Sequence, residues 1–430
     1  MLFFKECKKV VRSLSFWIYC GIVFLMFFTQ YFGDIRRYSE TDFDTFKIVE
    51  DHDLIMNSAV NELMREFTSN QYTCYPFGFY KSVSLKPKKD AAVEAYIQEM
   101  LGVDQAGFEE LLKTQLCEWM RVDRNQLSEL MLSVHAETVL DFYRLSPENY
   151  FEDLTVKSSL TYERFTEIMG EIDNLLGGGS EYQTDSLVYT YSRVPMEPEE
   201  VSTAYRTFLN EDKITQALAR LYSDYMGIDL ALLPVFVSAA FTAADRRRRM
   251  AELVYTRKIS SAKLIFTRYS ALICMMFIPV LLTMIIALLQ ALTLFQGQTT
   301  DMAAMFTLPV FWLLPNLMTA SACGMLLTEI FSAGTAIAVQ AVWAFTNLMA
   351  GGLQLYGNIS KFTLICRHNA VTHRDLFLQT YSDFVFNRIF YTALPLAAIA
   401  LTACVYSLKR GGRFHGIRLF GEGGIIRRPA

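Results

Sequence analysis

The residues that could carry chemistry in this chain are few. Gly177-Gly178-Gly179 is followed by Ser180 and Glu181 rather than by Lys and Ser/Thr. No G-x-x-x-x-G-K-[ST] occurs, so the chain holds no nucleotide through a phosphate loop. A carboxylate at Glu181 would repel phosphate, and the three glycines read instead as the stop of a helix. There is no H-E-x-x-H. His368 and His373 stand five apart, with Cys366 before them and Asp375 beyond. Five apart is off one helical face, so the pair could share a metal only in an irregular loop. They read as solvated loop histidines. No local Ser–His or Cys–His signature is present. The expectation is a chain with no catalytic residue, no bound cofactor and no metal site, and not an enzyme by itself.

Ionisable residues inside apolar segments would mark an ion path. Asp224, Asp229, Asp245 and Glu329 fall near the ends of apolar stretches, where water can reach them, which weakens the reading as an ion-coupled carrier. Two basic segments carry more. At the N-terminus, Phe3, Phe4, Cys7, Val10, Val11 and Leu14 form an apolar stripe, with Lys5, Lys8, Lys9 and Arg12 largely off it. That pattern predicts an interfacial amphipathic helix over 1–14. The segment Asp245–Lys263 (DRRRRMAELVYTRKISSAK) holds a short helical pattern, Met250–Tyr255, between its charges.

These residues must be positioned by membrane helices. The chain has 430 residues, of which 52% are hydrophobic and only 20% charged. The charge is split: about −16 over Asp34–Tyr222 and about +12 over the remainder. An acidic block beside a basic, apolar block excludes a simple soluble enzyme and a disordered tail, and argues against nucleic-acid binding. Six stretches approach the 20 or so apolar residues that a membrane crossing needs: Ser15–Gly33, Tyr222–Ala244, Ser270–Phe295, Met302–Leu327, Ala333–Leu355 and Phe390–Leu408. The first is long and aromatic and lacks a cleavage site, so it reads as a span rather than a signal peptide. Lys and Arg concentrate at the N-terminus, in 245–263 and in the tail 409–430. All three segments are therefore expected in the cytoplasm, and residues 34–221 outside.

The fold class expected is an all-α polytopic membrane protein. It has six transmembrane helices (15–33, then five within 222–408) and a mostly helical extracellular domain inserted between spans one and two. Phe108, Leu111, Leu112 and Leu116 share a helical face, as do Phe165, Ile168, Met169 and Ile172. Tyr72–Phe79 reads as irregular or a short strand. Tyr205–Leu221 reads as a helix leading into the second span, either a stalk that carries motion or a plain domain end. Cys74 and Cys117 are disulfide candidates on an oxidising side, with Cys366 a rival partner.

With an amphipathic helix, six spans and a short helix between spans two and three, the chain resembles the permease subunits of export-type (type 2) ABC transporters. Glu252-Leu253-Val254-Tyr255-Thr256-Arg257-Lys258-Ile259-Ser260-Ser261 stands where that family's coupling helix lies. Pro76–Lys81 and Gly177–Ser180 resemble permeases of this kind from low-GC Gram-positive bacteria. The run of four arginines departs from the family's Glu-rich start. The resemblance implies an exporter in a bacterial plasma membrane, working with a separate ATP-binding subunit that carries the ATP and Mg. It also implies a second permease copy or a related permease, with Glu252, Leu253, Val254, Tyr255, Thr256, Arg257 and Ile259 as the ATPase-coupling residues. The cargo stays open. The alternative from another class is a membrane sensor or assembly scaffold whose outer domain binds a peptide or cell-wall component.

Overall fold

The computed structural model describes residues 2–39, 46–49, 51–76, 80–145, 154–247, 251–256, 258–352, 358–368 and 370–414. They divide into two compact units: Met1–Asp44 with Glu197–Gly352 and Tyr356–Ala430, and Thr45–Met196 with Leu353–Leu355.

The first unit opens with α1 (Leu2–Val11), which ends where Ser13 caps α2 (Leu14–Met26), its hydroxyl accepting from Phe16 N. Helix α2 runs into a π-helical turn, Phe27–Phe32, and then α3 (Ile35–Ser39). Tyr19 and Tyr31 are fully packed because each hydroxyl has a backbone acceptor, Met276 O at 2.8 Å and Leu218 O at 3.2 Å.

The second unit is helical around α4 (His52–Ser69). Its short strands pair antiparallel in two couples: β1 (Phe46–Ile48) with β4 (Arg193–Pro195), and β2 (Tyr72–Cys74) with β3 (Lys81–Val83). Between β3 and β4 lie α5 (Pro87–Leu101), α6 (Gln105–Met120), α7 (Arg124–Ser133), α8 (Val139–Leu145), α9 (Tyr162–Leu176) and α10 (Thr184–Tyr191). Apolar spacing builds the core, as expected: Ile55, Leu63 and Phe67 of α4 meet Phe108, Phe165, Ile168 and Ile172. Gly177, at φ 100°, stops α9. The glycine run does more than stop a helix. Tyr75 N donates to Gly179 O at 2.6 Å, and a Cβ on Gly179 would lie 2.8 Å from Pro76 N. Glu66 is buried here, accepting from Thr73 N and from the Tyr182 hydroxyl, both at 2.6 Å; burial raises its pKa against these bonds. Cys74 and Cys117 are both free thiols, Cys74 buried beside β3 and Cys117 half-buried on α6. Residues 77–79 lie outside the described residues.

The chain then returns to the first unit through α11 (Pro198–Asn210), α12 (Thr215–Leu232), α13 (Pro234–Arg247) and α14 (Ala251–Tyr255). It continues through α15 (Ser261–Leu294), α16 (Ala304–Ile330), α17 (Ala333–Gly352), α18 (Arg374–Gln379) and α19 (Tyr381–Arg410). Five helical segments are long and apolar enough to cross a membrane: Leu14–Phe32, Thr215–Asp245, Ser261–Leu294, Ala304–Ile330 and Tyr381–Arg410. Helix α17 adds a shorter apolar stretch, Ala333–Met349.

Three expectations need correction. The pattern read as one helix over Tyr205–Leu221 is broken at Lys213 and Ile214, both at positive φ (45° and 61°), so α11 and α12 are separate. The second apolar segment begins at Thr215, seven residues earlier than the hydropathy suggested. That places Asp229 halfway along it, buried, rather than at a hydrated end. The last apolar helix begins at Tyr381, not Phe390, which draws Asn387 and Arg388 inside it. Asp224 and Arg388 interrupt the apolar signal although each has partners elsewhere in the bundle, whereas Asp229 is buried with its Oδ2 unpaired among the described residues.

Candidate functional site

One end of the helical bundle gathers the segments that the charge pattern singled out. Helix α14 is five residues long. Val254 is buried in the bundle core, while Leu253 is 64% exposed. The Tyr255 ring meets Tyr406 of α19 edge-on at 5.5 Å. Thr256 caps the turn through its hydroxyl on Leu253 O at 3.0 Å. Ile259 O accepts from Arg410 at 2.5 Å, and Ser260 caps α15 by accepting from Lys263 N at 3.2 Å. The candidate coupling residues therefore divide. Val254, Tyr255 and Ile259 foot the segment on the bundle; Leu253 and Thr256 face away from it. The side chain of Glu252, all of Arg257, and residues 248–250 of the arginine run lie outside the described residues.

Helix α1 is clamped to the same end. Glu6, 1% exposed, lies 3.6 Å from Arg268 of α15 and 2.7 Å from Lys9. Arg268 also bonds Asp245 at the end of α13 at 2.5 Å. Lys409 of α19 pairs with Glu329 at the end of α16 at 3.0 Å. Glu6–Arg268 and Lys409–Glu329 are nearly buried, so each needs its partner: removing one would strand a charge out of water. Sequence reading counted the basic residues as a sidedness signal and missed that Glu6, Asp245 and Glu329 answer some of them.

The other end holds a polar network that the sequence reading did not find. The segment 358–373 has no regular structure, yet Leu364, Ile365 and Cys366 are buried. Side chains from three helices hold its backbone. Asn347 of α17 accepts from Leu364 N at 2.8 Å, and Asn387 of α19 donates to Thr363 O at 2.8 Å. Tyr391 donates to Phe362 O at 2.7 Å. Asp224 of α12 accepts from His368 N at 2.7 Å and from Arg367 Nε at 3.1 Å. Arg388, fully buried, donates to Trp312 O at 2.7 Å, Asn316 Oδ1 at 2.8 Å and Cys366 Sγ at 3.1 Å. Nearby, Arg220 makes a two-pronged pair with Asp212 at 2.9 and 2.7 Å, and Arg374 reaches the same carboxylate at 3.3 Å.

His368 is 2% exposed, not a solvated loop residue. Burial, then the charge of Arg220, pushes its pKa down to about 3. Cys366 and His368 do not make a metal pair: the thiol faces Arg388, and the His368 ring lies 3.4 Å from Thr372 O. Among the described residues no three His, Cys, Asp or Glu side chains converge as metal ligands would.

No protein-family model, curated protein or solved structure matches this chain. The fold itself defines the class: a helical, multi-pass membrane protein whose apolar helices are tied at both ends by buried ion pairs and side-chain-to-backbone bonds.

Proposed function

We propose that the chain is the membrane subunit of an export-type ABC transporter, with six spans formed by α2, α12–α13, α15, α16, α17 and α19. The observation that carries the reading is the joint geometry of α1 and α14. An amphipathic helix is clamped to α15 through Glu6 and Arg268, and a five-residue helix between α13 and α15 stands on α19 with Leu253 turned outward. A separate ATPase subunit binds at Leu253 and its neighbours and supplies ATP and Mg. Its closure pushes on α14, and Tyr255, Val254 and the Ile259–Arg410 bond pass that movement into α19 and α15. Transport then follows from a switch between two states of the bundle, each favoured only by what binds it better. The termini and α14 are cytoplasmic, the 45–196 unit is extracellular, and a second permease copy or a related permease completes the pathway in a bacterial plasma membrane.

The test is co-purification of the tagged full-length chain from detergent. A stoichiometric ATPase is expected with the wild type and lost with Leu253→Asp, a surface change that leaves the footing residues intact. A chain that purifies without any ATPase, but with an extracellular ligand or a sensor kinase, replaces this reading with the sensor or scaffold.

A further inference from the structure

At the end of the bundle that carries α14, a groove of about 780 Å³ runs between the start of α15 and the end of α19. Its polarity changes along its length. Ser260, Ser261, Ser407 and Arg410 line one end; Phe266, Ala400, Ala403 and Cys404 line the rest. Ala400 and Arg410 are ten residues apart on one helix, about 15 Å at helical rise. The lining contains one cation and no carboxylate among the described residues. Exposed Lys258, Lys263 and Arg413 stand next to it in the chain, so the mouth is basic.

We propose that this groove binds an anionic phospholipid, the phosphate at the Arg410–serine end and an acyl chain along Phe266, Ala400 and Cys404. A headgroup phosphate suits a planar guanidinium whose Nη1 is already anchored on Ile259 O and which is flanked by hydroxyl donors. An apolar wall of small residues reaching into the bilayer suits an acyl chain and would not hold a free phosphate. Residues 415–430, the other candidate occupant, carry three arginines against one glutamate and would bring cation to cation. Basic side chains at a membrane surface favour anionic over zwitterionic lipid. The inference rests on the bundle lying in a bilayer and not on the transporter reading.

Cys404 lies in the groove wall, and Cys274 is an exposed thiol on α15 away from it. Both can be followed by alkylation and peptide mass spectrometry on the full-length, delipidated chain in neutral detergent. Phosphatidylglycerol is expected to slow alkylation of Cys404 at concentrations roughly fivefold lower than phosphatidylcholine does, a ratio set by about one basic contact. Cys274 should show no such preference. Arg410→Gln should remove the preference and Arg410→Lys should keep most of it. Equal protection by the two lipids would reduce the groove to ordinary annular surface and overturn the proposal. So would protection by glycerol phosphate alone, or a preference that survives Arg410→Gln. Protection without added lipid that disappears on deleting 415–430 would assign the groove to the tail. If Arg410→Gln does not fold, the wild-type comparison of the two lipids still decides.

Discussion

A single buried imidazole shows how far the fate of a residue depends on what covers it. His368 donates its backbone N–H to Asp224 and is kept neutral by burial and by Arg220, with its pKa near 3. An unfolded histidine titrates near 6.5. Between those values the unfolded chain holds a proton at this position that the folded chain lacks. Stability therefore rises with pH through the window and is lost as pH falls from about 6.5 towards 3, by about 1.4 kcal/mol per unit for this one group. Unfolding in detergent at pH 7, 6 and 5 should show this slope. His368→Gln should flatten it by one proton's worth; identical slopes in the two proteins would show that the ring is not buried as described. Arg388 makes the same point with the opposite sign. It is a cation inside an apolar helix, satisfied by Trp312 O and Asn316 and lying over the rings of Phe384 and Tyr391. In a list of charges it reads as a loop residue.

At the scale of elements, the break between α11 and α12 is the most informative departure from expectation. Apolar spacing runs through it, so periodicity predicts one helix. The structure instead places Lys213 and the β-branched Ile214 at positive φ, a costly conformation for either. Buried charge holds that turn: Asp212 just before it is gripped by Arg220 in the second turn of α12 and by Arg374 at the start of α18. Asp212→Ala should cost about 3 kcal/mol or more, because Arg220 would stay buried without its carboxylate. The double change Asp212→Ala with Arg220→Met should recover a substantial part of that loss. Thermal unfolding of the three variants measures the coupling. A double variant as unstable as Asp212→Ala alone would mean that the turn, and not the ion pair, carries the energy.

For the molecule as a whole, the arrangement predicts sidedness. On the six-span reading proposed above, the C-terminus would return to the side of the N-terminus and the 45–196 unit would lie opposite both. Protease added to intact cells should cut within that unit, which exposes Lys86 and Lys88, and should spare tags at both termini until the membrane is opened. Cleavage of a tag with an intact 45–196 unit would invert the assignment. A tag and the unit cut together would mean that α2 does not cross. The acidic balance of Asp34–Tyr222 against the basic remainder is the sequence counterpart of this division.

Some of this is local physics and is therefore legible without a fold. Length of apolar run, the i, i+3, i+4 spacing of α6 and α9, the amphipathic α1, the short helix before Ser260 and the glycine stop after Leu176 all follow from a residue and its near neighbours in the chain. Membrane character and helix content were decided there. What tertiary structure alone decided are the pairings over long sequence distance. Glu6 meets Arg268, Asp224 meets 367–368, Arg388 meets Trp312 and Cys366, and Tyr255 meets Tyr406. A buried charge is stabilised in an apolar bundle by partners distant in the chain, and no spacing rule along one chain names those partners. Hydropathy therefore misplaced the starts of α12 and α19: it scores Asp224 and Arg388 as if each stood alone in oil.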